Sequence, residues 1–279
     1  MSSPELMTSR SPRVRSARKL ARRASRRSER LFLVEGPHAV REALAFKSSA
    51  GEGCVVEVFA THDAESRHAD LCEAVRGART AWHAVAPEAL AGLAETVRPQ
   101  GVVAVCRFVD VPLDDVIAQR PSLVVVCADV RDPGNAGAVI RCADAVGADA
   151  VVLAGASVDP YNGKTVRATV GSLFHLPVVS GQPVDEAVTC LRDGGLTVLA
   201  ADGDGTLTLD ALDDAALARP TAWLFGNEAR GLPAEHAALA DSVVRVPIYG
   251  RAESLNLATA AAVCLYATAR VQRQRRSDR

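Results

Sequence analysis

The chain reads as an α/β protein in two units, on three observations. Apolar runs alternate with segments of helical character along most of its length. One run, "SLVVVCADV", is continuous enough to be buried on both faces of a parallel sheet. A polar stretch at 110–121, bounded by Pro112 and Pro121, separates an earlier set of alternations from a later one. A length of 279 residues accommodates two domains, and 48% hydrophobic residues supply their cores.

The elements follow in order. "RLFLVEG" predicts a strand and "PHAVREALAF" a helix; "CVVEVFAT" at 54–61 is a second strand, before a helical "AESRHADLCEAVRG". "TAWHAV", a helical "PEALAGLAETV" and a buried strand in "GVVAVCRFV" complete a unit over 31–109, with 110–121 as a linker. The second unit, 122–279, opens with the "SLVVVCADV" strand and continues through the helix "NAGAVIRCADAVG" and the strand "ADAVVLAG". After "VRATVGSLF" come "HLPVVS", a helix through "VDEAVTCLRDGG", and the strand "LTVLAAD". "TAWLFG" and "SVVRVPIYG" add strands before a long final helix. Such βα alternation places ligand-friendly turns at strand ends.

The overall charge of −1 conceals an asymmetry. Residues 1–30 hold ten Lys/Arg and two Glu, a local +8, which leaves −9 on the rest (22 basic, 31 acidic). The segment predicts a flexible basic arm on an acidic body, suited to nucleic acid phosphates or simply to solvent. Aromatic residues make up only 4%, so no base-stacking platform is visible. No apolar run approaches the roughly 20 residues that span a bilayer, and no secretory leader is evident. Seven cysteines without a C-x-x-C pair read as small buried residues of a reducing, cytoplasmic setting, and the six histidines lack metal-ligand spacing.

Three strand-to-helix junctions concentrate the polar chemistry. In "DVRDPGNAGAVIRCADAVGADAVVL" (129–153), Gly134 and Gly137 permit a tight turn, but the G-x-G-x-x-G dinucleotide fingerprint is absent. Asn135 and Arg141 stand six residues apart. Arg141 interrupts an otherwise apolar helix, where it requires an anionic partner or water; a snorkelling surface arginine reads the same way. In "WLFGNEARGLP" (223–233), Gly226 lets a ligand approach the backbone and Glu228 offers hydrogen-bond acceptors, although a plain polar loop has the same composition. In "YGRAESLNLATAAAV" (249–263), Ser254 and Asn256 precede an alanine-rich helix, placed either to cap it or to meet a ligand at its N-terminus.

Together and in order, "NAGAVIRCADAVGA", "LFGNEARGL" and "VPIYGRAESLNLATAAAV" resemble the motifs of the SpoU (TrmH-like) RNA 2′-O-ribose methyltransferases of the SPOUT class. "FLVEGPHAVREAL" resembles the small ribosomal-protein-like substrate-binding domain often fused before that catalytic domain. The resemblance implies a small α/β substrate-binding domain followed by a trefoil-knotted methyltransferase domain, a homodimer, and S-adenosylmethionine as cofactor. It puts Gly226, Val246, Ile248 and Leu255 at the cofactor. Arg141 comes to the reacting centre, there to orient the ribose and stabilise a developing alkoxide, with a deprotonated guanidine as the costlier version. It also implies that Asn135 sets the first motif, Glu228 holds the second, and Ser254 and Asn256 orient ribose or Arg141. Arg167, in "YNGKTVRATVGSLFHLPV", is a candidate phosphate ligand or a surface arginine. Ribosomal RNA is favoured over transfer RNA by the N-terminal resemblance. The competing readings are a silent RNA-binding protein, against which the intact motif set argues, and a nucleotide-dependent oxidoreductase, disfavoured by the missing glycine fingerprint.

Overall fold

The computed structural model describes residues 6–277, which divide into two compact units. The first comprises residues up to Val109 together with Tyr161–His175, and the second Asp110–Pro160 with the chain from Leu176 onward.

The first unit begins with helices α1 (Pro12–Lys19) and α2 (Arg23–Glu29), followed by β1 (Leu31–Glu35), α3 (Pro37–Ala45) and β2 (Val55–Ala60). Then come α4 (His62–Arg67), α5 (Ala69–Gly77), β3 (Ala81–Ala84), α6 (Pro87–Ala91) and β4 (Val102–Arg107). The sheet order is β1-β4-β2-β3, with β4 antiparallel to both neighbours and β3 parallel to β2. The single helix expected after β2 is two, because the chain leaves helical geometry at His68 (φ −128°, ψ 54°).

The basic segment departs furthest from expectation. Its described part is packed and not a free arm: Val14, Ala17 and Leu20 recur every three residues and are buried in one cluster with Phe59, Val85, Leu90 and Val103, while residues 1–5 of the expected arm lie outside the described residues. Burying Val14 and Leu20 contributes roughly 1.5–3 kcal/mol each before ordering entropy is subtracted, which holds a segment that charge alone would leave in solvent.

The second unit starts inside the expected linker, where α7 (Leu113–Ala118) inserts Leu113 and Val116 into a core cluster. Next are β5 (Leu123–Ala128), α8 (Pro133–Val146) and β6 (Ala150–Ala154). The following α9 (Gly163–Thr169) belongs with the first unit, where the Tyr161 hydroxyl accepts from the Val109 amide at 2.8 Å and its ring stacks on Phe108 at 3.8 Å. The chain continues as β7 (Val178–Ser180), α10 (Val184–Asp193), β8 (Thr197–Ala201), β9 (Leu207–Thr208) and α11 (Asp214–Leu217). It ends with β10 (Thr221–Phe225), α12 (Ala234–Ala237), β11 (Ser242–Arg245) and α13 (Leu257–Ser277). The parallel sheet runs β7-β6-β5-β10-β8-β11-β9.

Strand alternation splits the core into two layers. Leu123, Val125 and Cys127 of β5, with Trp223 and Phe225 of β10, face the helices α8 and α13; Val124, Val126, Ala222 and Leu224 face α7 and α10. The β5 strand is buried throughout, as its unbroken apolar run requires. On α8, Ala136, Val139, Ile140, Ala143 and Val146 form the buried stripe, Asp132 caps the start and Gly147 (φ 68°) ends the helix. Arg273 of α13 donates to the Val146 carbonyl at 2.8 Å, satisfying one terminal acceptor of α8.

A buried polar contact pins α13 to the sheet: the Trp223 indole N–H donates to Thr268 Oγ1 at 2.9 Å. Thr268→Val should leave that donor unpaired at nearly constant volume. The expected loss is about 1–3 kcal/mol, read as a lower urea midpoint with unchanged m-value.

Candidate active site

The C-terminal ends of β5 and β10 lie side by side where the sheet order reverses direction, the position at which parallel α/β sheets bind ligands. There β5 runs into Asp129, whose left-handed backbone (φ 56°) turns the chain sharply toward α8. Its carboxylate accepts from the Ala156 amide at 2.6 Å and its carbonyl accepts from Asn227 Nδ2 at 2.8 Å. Asp132 then caps α8 by accepting from the Asn135 amide at 2.8 Å, with Pro133 at the first helical position.

The β10 strand delivers Gly226, Asn227 and Glu228 beside that turn. One Glu228 carboxylate oxygen accepts from the Asp132 amide at 3.1 Å and from Asn135 Nδ2 at 3.2 Å, and the other from the Arg131 amide at 3.3 Å. Asn135 Oδ1 in turn accepts from Asn256 Nδ2 at 2.9 Å. Asn256 Oδ1 accepts from the Ala258 amide at 2.9 Å and the Thr259 amide at 3.3 Å, capping α13. Three predicted residues therefore form one chain of hydrogen bonds across all three junctions. The cap and the ligand-facing readings of Asn256 are compatible, because its two amide atoms are used separately.

Asp129, Arg131, Asp132, Asn135, Asn227, Glu228 and Arg230 line a cavity of about 470 Å³ at this point. Beneath it, burial pushes the Cys127 thiol up to about 12, with the Glu228 carboxylate adding to the shift, so the thiol stays protonated at neutral pH and is no nucleophile.

The other predicted residues fall elsewhere. Arg141 projects from the exposed side of α8, beyond the first turn, and makes no hydrogen bond or ion pair among the described residues. Ser254 is exposed on the loop before α13. Val246 is half-buried, whereas Ile248 and Leu255 on that loop are 38% and 37% exposed. The loop is held at its start by Tyr249, whose hydroxyl donates to Asp210 at 3.0 Å; hydrogen bonds from Thr208 and Tyr249 keep the Asp210 carboxyl below its ordinary range. These apolar side chains, displayed along the exposed stretch 248–256, fit an adenosyl group that needs an apolar wall.

In two places the structure adds a constraint. Arg167 is held by carboxylates of its own unit, Glu95 at 2.9 Å and Glu35 at 3.6 Å, so a phosphate would have to compete with them. Gly226 is required first by its own loop. A Cβ there would come within 2.4 Å of the Gly231 carbonyl carbon and oxygen and 2.6 Å of the Leu232 nitrogen. Sequence reasoning missed Asp129, Asp132 and Asn227; only the Asp-Pro pair at 132–133 carries a local signal, that of a helix start.

This geometry defines an α/β protein whose polar site is assembled from one helix start, one strand end and one loop. Residues 122–266 match the SpoU rRNA methylase family, and residues 11–104 match the MRM3-like substrate-binding domain. The chain is 33% identical over 262 residues, 94% of its length and 98% of the relative's, to the 23S rRNA (guanosine(2553)-2′-O)-methyltransferase RlmP of Bacillus subtilis. It is 39% identical over 202 residues to the 23S rRNA (uridine(2479)-2′-O)-methyltransferase of Streptomyces viridochromogenes, covering 71% of this chain and 70% of that one. Among solved structures, an AdoMet-bound rRNA methyltransferase from Sinorhizobium meliloti superposes with a TM-score of 0.82 at 30% identity, covering 95% of this chain and 97% of that one. The SpoU methyltransferase AviRb from Streptomyces viridochromogenes, in complex with AdoMet, superposes at 0.80 and 32% identity, covering 97% and 100%. The chain belongs to the SpoU rRNA methylase family.

Gly226→Ala should lower the unfolding midpoint by the equivalent of about 1–3 kcal/mol, since the added methyl meets backbone and not a movable side chain. Thermal melts of the ligand-free protein check this. An unchanged midpoint would return Gly226 to the role of making room for a ligand.

Proposed function

We infer that the protein is an S-adenosylmethionine-dependent RNA 2′-O-ribose methyltransferase acting on ribosomal RNA. The observation that carries the reading is the hydrogen-bonded chain Glu228–Asn135–Asn256, which unites the three motif junctions in a member of the SpoU family. Ribosomal RNA is favoured because the relatives RlmP and the Streptomyces viridochromogenes uridine methyltransferase are named for 23S rRNA. A cytoplasmic setting accords with that substrate and with seven free cysteines.

When bound, the cofactor supplies a methyl group on a sulfonium centre. Val246, Ile248 and Leu255 would hold its adenosyl part, with Gly226 shaping the adjoining strand end. Methyl transfer requires in-line approach by the ribose 2′-oxygen, whose proton passes to solvent water. Glu228 is committed to two backbone amides and Asn135, so its role is to hold the site in shape, and Asn135 and Asn256 position the start of α8. Ser254 orients the ribose. Arg141 supplies a guanidinium to the substrate phosphate and the developing alkoxide.

The exposed position of Arg141 supports a homodimeric enzyme in which its guanidinium serves the cofactor site of the partner protomer. The apolar side chains of Val263 (40% exposed) and Tyr266 (56% exposed) on the same helix layer support such an interface. The trefoil knot belongs to this reading as well, and the strand order supports it: β10 and β11, last in sequence, occupy interior positions between earlier strands.

Arg141→Ala should reduce methyl transfer to RNA at least a hundredfold while S-adenosylmethionine affinity stays within a few-fold, and Arg141→Lys should fail too because an ammonium lacks the guanidinium fork. Radiolabel transfer and calorimetry measure the two quantities; wild-type turnover by either variant removes Arg141 from the mechanism. Mixing Arg141→Ala with a Leu255→Asp variant that is defective in cofactor binding should restore activity in heterodimers. No restoration, with heterodimers demonstrated, places Arg141 in the site of its own protomer.

A further inference from the structure

We propose that helices α1 and α2 form a pre-ordered phosphate-binding surface for the substrate RNA, one whose geometry, and not only its charge, sets affinity. The proposal rests on the RNA methyltransferase reading above and adds where and how the RNA backbone is gripped.

Residues 10–30 hold ten Arg or Lys and one acid, Glu29. The apolar side of α1 is spent on the core through Val14, Ala17 and Leu20, so the outward side is left to cations. Arg15, Arg18 and Lys19 on α1, and Arg22, Arg23 and Arg27 on and before α2, are all exposed. Arg15 and Lys19 are four residues apart, as are Arg23 and Arg27, so each pair shares a helix face. Two other arginines fix the array. Arg26 is 3% exposed and donates to the carbonyls of Leu20 at 3.0 Å and Ala21 at 2.8 Å, locking the turn between the helices. Arg30 lies over the Phe108 ring, 4.6 Å from its centroid, and fixes the end of α2. Arg13 is tied to Glu57 at 3.2 Å.

The chemistry favours a polyphosphate backbone. Nine of the ten cations are arginines, whose planar forks match phosphate oxygens in pairs. A lipid surface needs an apolar face to insert, and here that face is already buried in the unit's own core. A disordered basic tail would neutralise phosphates in any order; cations on anchored helices match only phosphates at compatible spacing.

The full-length protein is tested with two variants and a folded ribosomal RNA fragment. Arg15→Gln/Arg18→Gln/Arg23→Gln/Arg27→Gln removes four exposed cations. It should weaken RNA binding at least tenfold near 0.1 M salt and reduce the log–log salt slope by about three units, at 0.7–0.9 per phosphate contact. Its melting temperature and S-adenosylmethionine affinity should hold, and the loss in methylation should fall on KM for RNA. The second variant, Arg15→Ser/Ser16→Arg/Arg27→Ser/Ser28→Arg, conserves every charge but turns two guanidinium groups by about 100° around their helices. It should bind RNA at least fivefold more weakly than the wild type. Affinity within twofold of wild type for this rearranged protein would reduce the surface to a diffuse charge and overturn the proposal, as would an unchanged salt slope in the first variant. Phosphatidylserine vesicles, rather than RNA, losing affinity in the first variant would assign the surface to a membrane. Because binding is read separately from methyl transfer, a wild-type protein that binds RNA but transfers no methyl group sinks the enzymatic reading alone.

Discussion

The Glu228 carboxylate is the contact on which the functional half of the molecule depends. It is the last side chain delivered by β10, yet its partners are the backbone entering α8 and the side chain of Asn135. An anion at a helix start is favoured by the unpaired amides and the helix dipole, so the interaction stabilises the helix and orients it together. Through Asn135 the constraint passes to Asn256, which caps α13. The two helices on one face of the sheet are therefore registered by a single carboxylate at one end and by Arg273 on the Val146 carbonyl at the other. Because α8 also carries Arg141, the same contact sets the direction in which the guanidinium projects.

Much of this was legible as composition and order, and little of it as contact. The βα alternation and the fully apolar β5 run indicated a parallel sheet because a strand buried on both faces must be apolar at every position. Asn135, Glu228 and Asn256 stood out as polar residues at the strand-to-helix junctions. Their mutual hydrogen bonds span 93 and 121 positions of sequence, a separation that no local pattern encodes. The close approach of its own loop to Gly226 was not legible either, since a requirement for glycine does not say what occupies the missing side chain's place. The ion pairs of Arg167 were equally hidden: Glu35 and Glu95, which hold it, lie far away in sequence.

The basic segment shows how charge density obscures a weak periodic signal. Val14, Ala17 and Leu20 are three apolar residues in a stretch dominated by arginine, and a composition-based reading treats such a stretch as solvated. Helix formation there is rescued by tertiary burial. The cations on α1 would repel one another in isolation, but the hydrophobic contribution of Val14 and Leu20 outweighs repulsions that water and salt screen to a fraction of a kcal/mol each. Folding thus converts a segment that reads as an unstructured polycation into a surface with fixed positions.

The same comparison of energies bears on why Arg141 lies exposed in the single chain. A guanidinium buried without a partner would cost several kcal/mol, so a helix folded on its own cannot hold one inside. Leaving it in water on the outer side of α8 costs almost nothing, while the buried stripe from Ala136 to Val146 keeps the backbone beneath it rigid. In the proposed reaction, desolvation is deferred until an anionic group of the substrate covers the site, when the electrostatic attraction that repays it is also present. In the proposed reaction Glu228 keeps the frame fixed, and the Arg141 cation is neutralised by the bound substrate.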